Sequence, residues 1–177
     1  MYTQAPTSTF VDSSLYTFTA QFYTDHVIVH AELTSPELRL SDHLNSSLAA
    51  VEVRPSRVDR ISNGASVEFD GSYGPLTKHG VLFVVPIAEP ARPQGTANFA
   101  WKQMMTRRCW LSLGRHSLTG TIHMDVSKDA RIALRLLERK FVALTDVSIA
   151  SSDGDTQDYR TVLVNREQIA LLALRDN

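Results

Sequence analysis

Self-similarity constrains this chain more than any other feature. Val29-His30-Ala31-Glu32-Leu33 runs apolar, histidine, apolar, acidic, apolar, and Ile122-His123-Met124-Asp125-Val126 repeats that order. A short loop follows each segment and ends at an arginine, Arg39 or Arg131. Next come Leu40-Ser41-Asp42-His43-Leu44-Asn45-Ser46-Ser47 in one half and Ile132-Ala133-Leu134-Arg135-Leu136-Leu137-Glu138-Arg139-Lys140 in the other. Leu48-Ala49-Ala50-Val51 then lines up with Phe141-Val142-Ala143-Leu144, and later apolar runs at 81–85 and 161–164 take equivalent places. The pairs His30/His123, Arg39/Arg131, Leu44/Leu136 and Ala50/Ala143 are identical. A repeated order of elements within 177 residues predicts two copies of one small unit. The expected organisation is a flexible start at 1–14, a β-rich unit at 15–88, a linker at 89–98 with Pro90, Pro93 and Gly95, and a second β-rich unit at 99–177.

Alternating apolar and polar residues at 29–33 and 122–126 predict half-buried strands. Ser41 or Asp42 is placed to cap one helical turn reaching Ser47. Residues 133–140 are good helix formers with Leu134 and Leu137 on one face, and residues 99–108 are expected to form a second short helix. Residues 141–147 and 161–164 read as strands around a turn at Ser151-Ser152-Asp153-Gly154-Asp155, where Asp-Gly accepts positive φ. Asn165-Arg166-Glu167 makes a tight link to a last strand at 169–174, whereas Pro86 and Pro90 are expected to stop the first unit's final strand early. The fold class is therefore mainly β with short helices, as two duplicated small barrels or rolls packed as a pseudo-dimer.

Within 141–174, Leu144-Thr145-Asp146-Val147, then Val162-Leu163-Val164-Asn165-Arg166 and Ile169-Ala170-Leu171-Leu172, resemble the end of an Sm-like fold, with an SH3-like barrel as the close variant. The resemblance covers 110–174 and, more faintly, 17–88. It implies a bent five-stranded barrel, homo-oligomeric rings made through edge strands, and RNA as a partner. The helix-like insert in each unit departs from simple Sm barrels. The loops at 33–39 and 126–131 lack the aromatic and Asn of that family's RNA-contacting loop, so no RNA contact carries over to a residue. Arg131-x-x-x-Arg135 followed by Asp146-Val147-Ser148-Ile149-Ala150-Ser151 is similar to the PilZ pattern. That resemblance implies a sensor of an anionic nucleotide, with Arg131 and Arg135 gripping phosphate and Asp146 and Ser148 completing the purine site. Ser151 stands where that pattern closes with glycine.

The formal net charge of −1 excludes a polycation built to coat nucleic acid. It conceals an uneven division: residues 1–90 carry five basic against ten acidic side chains (5 − 10 = −5), and residues 91–177 carry thirteen against nine (13 − 9 = +4). Opposite charges of this kind either face solvent or steer the halves, or neighbouring subunits, together. Among basic segments, Trp101, Lys102, Arg107 and Arg108 are the nucleic-acid candidates, arginines for phosphate and an aromatic for stacking, against the alternative that Trp101 and Trp110 anchor the core. His26 and His30 lie too far apart on a strand to share a metal. His30 and His123 are expected to point outward and pair across the sheet, with Glu32 or Asp125 beside them. The loop beginning Asp153-Gly154-Asp155 lacks the later ligands of a calcium site. Cys109, the one cysteine, excludes an internal disulfide and alternates with Leu111 and Leu113 as a buried thiol does. No phosphate loop, nucleophile elbow or HExxH motif occurs, so neither catalysis nor a cofactor is expected. Residues 1–14 carry no basic residue and no apolar core of a secretory signal, and no apolar run approaches the ~20 residues of a membrane helix. A cytoplasmic protein away from the membrane is the expectation.

Overall fold

A computed structural model describes residues 15–91, 104–125, 139–152 and 154–175. The linker at 92–98, the tryptophan and lysine at 101 and 102, and the loop and helix expected over 126–138 lie outside the described residues. The protein is mainly β. Its strands are β1 (Tyr16–Tyr23), β2 (Val27–Ser35), β3 (Ala50–Arg60), β4 (Ser66–Glu68), β5 (Gly74–Thr77), β6 (Phe83–Ala88), β7 (Met104–Leu113), β8 (His116–Asp125), β9 (Phe141–Ser151), β10 (Thr156–Asn165) and β11 (Leu171–Arg175). One short helix, α1 (Leu40–Leu44), follows β2.

Chemistry along each strand explains the layering. On β2, Val29, Ala31 and Leu33 are buried while Glu32 and Thr34 face out, the period-2 pattern of a strand with one wet face. Cys109, Leu111 and Leu113 do the same on β7. All strand pairs are antiparallel, in the order β11-β7-β8-β9-β10-β6-β1-β2-β3-β4, with β5 also paired to β3. The outer side of β3 is shared, since β4 covers residues 57–59 and β5 covers 50–53. Two small barrels or rolls packed as a pseudo-dimer were expected; the described strands form one continuous sheet, and that sheet does not close. It ends at β11 on one side and at β4 and β5 on the other.

Two apolar clusters fill the interior, and each borrows from the other end of the chain. Tyr23, Leu82, Phe83 and Val85 sit in a cluster otherwise made by β7–β10 residues such as Leu111, Ile122 and Val162. Phe141 and Leu163 join a cluster built mainly from β1, β2, β3 and α1. Burial of this kind, at about 25 cal/mol per Å² of apolar surface, is the main term holding the two strand runs together.

Several local expectations shift. Residues 104–108 belong to β7 and not to a helix, because the Met105, Arg107, Cys109 alternation is strand-like and pairs along the whole of β8. The helical turn begins at Leu40, with Arg39 as its first flanking residue and no side-chain cap; Asp42 instead pairs with Arg139 at 3.1 Å. Pro86 does not end its strand. β6 continues to Ala88, and its ladder with β1 absorbs the proline beside a bulge at Thr19/Ala20. None of the described helices is long and apolar enough to cross a membrane.

Candidate functional site

The most elaborate polar construction in the molecule lies where β10 meets β6. Leu163 pairs with Val84 and Val164 with Phe83, and the Asn165 N–H donates to the Leu82 carbonyl at 2.9 Å. Asn165 is fully buried. Its Nδ2 donates to the carbonyls of Lys78 (3.1 Å) and Val81 (2.8 Å), while its Oδ1 accepts from the Glu167 N–H (3.1 Å). A second asparagine works from the opposite direction. The Nδ2 of Asn45, just past α1, donates to the Phe141 carbonyl (2.9 Å) and its Oδ1 accepts from the Phe141 N–H (2.8 Å), so one side chain stands in for a neighbouring strand. Gln168 donates to the His79 carbonyl, and Lys140 pairs with Glu167 at 2.7 Å. The short backbone seam is thus reinforced by side-chain amides on both flanks.

Beneath the seam, Lys78 is buried and donates from Nζ to the Ser46 carbonyl and hydroxyl, each at 3.0 Å, as a cation placed at a helix C-terminus does. Burial, and next the nearby Lys140, hold its ammonium below the usual lysine range. His43 shares this setting: Nδ1 is 2.8 Å from the Ser35 hydroxyl, and Nε2 is buried without a hydrogen-bond partner. Burial, then the Lys78 charge, push its pKa below the ordinary 6.5. Between the lowered folded value and 6.5 the unfolded chain binds more protons, so the neutral imidazole's contribution is present above 6.5 and is lost as pH falls below it. The melting temperature should therefore drop on acidification below about 6.5, and that slope should flatten in His43→Gln, measured by circular dichroism across pH.

Beyond Val84 the seam opens. The pairing phase turns the nitrogen of Pro86 toward β10, and proline has no N–H to give. A cleft of about 610 Å³ occupies the gap, lined by residues that include Arg39, Ile87, Tyr159 and Arg160. At the two ends of the sheet, β11 shows Leu171 at 57% exposure and the approach to β5 shows Tyr73 at 58%.

Sequence-predicted residues are scattered across this frame. Arg131, Arg135, Trp101 and Lys102 lie outside the described residues. Asp146 is the one described non-glycine residue with positive φ, at 51°. It sits where β9 bulges against β8, Gly120 opposing the step from Thr145 to Ser148, and its carbonyl accepts from Arg108 Nη1 at 3.4 Å. Asp is among the residues that tolerate this conformation, so a backbone bend accounts for its presence. Ser148 pairs with Thr119 and Asp158 within the ladders. Arg107 and Arg108 are consecutive on β7 and so point to opposite faces, Arg108 on the side of Trp110, which divides the expected basic patch. Cys109 is fully buried against the Gly120 carbonyl, and burial raises its pKa, as suits an inert thiol.

The two histidines find partners other than the neighbours expected. His30 donates from Nε2 to Asp59 on β3 at 2.7 Å, with Gln21 beside Nδ1 at 3.4 Å. A hydrogen bond from Ser66, then those from the His30 side, hold the Asp59 carboxyl below its usual range. His123 lies 2.9 Å from the Thr145 hydroxyl on β9. The sequence signals Asn165 only as an asparagine directly before a tight link, and gives Asn45 no signal at all. Among the described residues no group of three or more His, Cys, Asp or Glu is placed to hold a metal ion. Comparison with protein-family models, with curated proteins and with solved structures finds no match.

Proposed function

We propose that this protein is a noncatalytic binding and assembly module of the cytoplasm, two duplicated small β units of Sm-like type joined as a pseudo-dimer, which self-associates head to tail. The observation that carries this reading is the strand order. In the first run β6, β1, β2, β3 and β5 are neighbours in that sequence, and in the second β11, β7, β8, β9 and β10 are. Each run sets its last strand beside its first. A single 3-10 turn precedes the last strand in both, Lys78–Gly80 and Arg166–Gln168. Leu82 donates to Tyr23 in one place and Ala170 to Ser112 in the other, and a bulge falls at His30/Ala31 and again at Thr119/Thr121. Tyr23 pairs with Ile28 and Ser112 with Ser117, so two residues further on His30 corresponds to Thr119. The His30/His123 equivalence expected from residue order thus gives way to one of backbone position.

The seam inside the chain joins the fourth strand of the second unit, β10, to the last strand of the first, β6. Among the described residues the strands left at the ends include the complementary pair, β5 and β11, with β4 beside β5 on the same edge. A second copy therefore meets the first through the kind of contact the chain already makes once, a heterologous interface that closes into a ring when its rotation allows. The free β5 belongs to the acidic half and the free β11 to the basic half, which favours this orientation. Sedimentation velocity across a concentration series should show a mass rising above that of one chain, more weakly at high salt. A single-chain mass at every concentration rejects the reading.

A further inference from the structure

In the ladder of β5 on β3, the Lys78 N–H donates to the Ala49 carbonyl. The register continues as Leu76 opposite Val51 and Gly74 opposite Val53, so these two residues share the phase of Lys78 and turn their N–H groups toward β3. The alternate residues, Pro75 and Thr77, face the open side. On β10 the corresponding outward residues are Leu163, paired with Val84, and Asn165, which donates to Leu82. Thr77 and Asn165 each stand directly before a 3-10 turn, which fixes the correspondence. The inner seam thus has two outward backbone donors where the free edge has one, because Pro75 carries no N–H. The side-chain clamp is missing as well: Asn165 caps its turn, while Thr77 makes no cap hydrogen bond.

We infer that Pro75 holds the outer seam to a weak, reversible contact, so that β5 accepts β11 of a second copy of this chain without locking to it. The inference rests on the self-association reading and names its control point. Proline at an open strand edge is a recurrent guard against uncontrolled pairing. The occupant is a second copy because the edge continues the phase of the inner seam and because the charges of the two halves are opposite, −5 against +4.

Two substitutions separate this from a passive surface. Pro75→Val restores an outward donor and should tighten self-association about five- to tenfold, the equilibrium equivalent of one net backbone hydrogen bond. Thr77→Pro removes the remaining donor. Its φ of −70° already suits proline and its N–H faces away from β3 with no bond among the described residues, so the fold is retained while association weakens by a similar factor. Sedimentation equilibrium on the full chain reads both, with circular dichroism confirming the fold and Pro75→Ala replacing Pro75→Val if that variant misfolds. Opposite shifts in the two variants support the inference. A wild-type protein that associates with the same constant as both variants overturns it while leaving the self-association reading intact. If wild type stays a single chain throughout, self-association itself is rejected.

Discussion

Replacing Asn165 by alanine is expected to destabilise the fold by about 2–4 kcal/mol, read as a shift in the denaturant midpoint. The side chain is fully buried and makes three hydrogen bonds, two as donor and one as acceptor. After truncation the Lys78 carbonyl still accepts from the Val81 N–H, but the Val81 carbonyl loses the partner supplied by Asn165. An orphaned buried carbonyl costs about 1–3 kcal/mol, and the other two bonds, one to a carbonyl that keeps a partner and one only part-buried, add about 0.5 kcal/mol each. Asn165→Asp should be worse at neutral pH, since it sets an anion against two carbonyl oxygens. Its carboxyl would carry a raised folded pKa, so that variant should regain stability as pH falls, when the protonated acid donates again. An Asn165→Ala protein as stable as wild type would mean that the seam does not depend on this clamp.

Parts of this architecture were legible in the chain. The alternation of Val29, Ala31 and Leu33 and of Cys109, Leu111 and Leu113 marked strands with one buried face, and both are so buried. The turn at Gly154, with its positive φ, and the tight link after Asn165 stand where expected, because turn chemistry is local. What could not be read was whatever depends on a partner distant in the chain. Asn45 and Asn165 look like turn residues until Phe141 and Val81 are brought beside them. Asp146 fits a ligand pattern by composition, yet its backbone sits at a bulge, a property of pairing register that spacing does not encode. Pro86 signals a strand end only when its missing N–H faces a partner that needs it; here it faces the open part of the seam. Pro75 gains its significance from the phase of β5 on β3, which is set by Lys78 and not by its own neighbours.

Phe83→Ala carries the largest expected loss, about 3–5 kcal/mol, the range for removing a fully buried aromatic ring. Phe83 pairs with Tyr23 on one side and Val164 on the other, so it stands where β1, β6 and β10 meet. Its ring stacks on Tyr23 at 4.3 Å and meets His116 edge-on at 5.2 Å, and no solvent reaches the space it would vacate. A domain of this size is commonly stable by only 5–15 kcal/mol, so the change takes a large share of the total. Its distribution is the sharper test. Phe83 lies in the first strand run but packs in the cluster built mainly by the second, so loosening it should weaken both together. Both tryptophans, Trp101 and Trp110, lie in the second half of the chain, and Trp110 on β7 pairs with Thr119 and Ala173 of that half, so in a Trp101→Phe background the fluorescence follows it. In Phe83→Ala the fluorescence and far-ultraviolet transitions should move to lower denaturant by the same amount and remain coincident. A fluorescence midpoint that stays in place while the far-ultraviolet signal shifts would show two independently folding halves, contrary to the shared cores of this sheet.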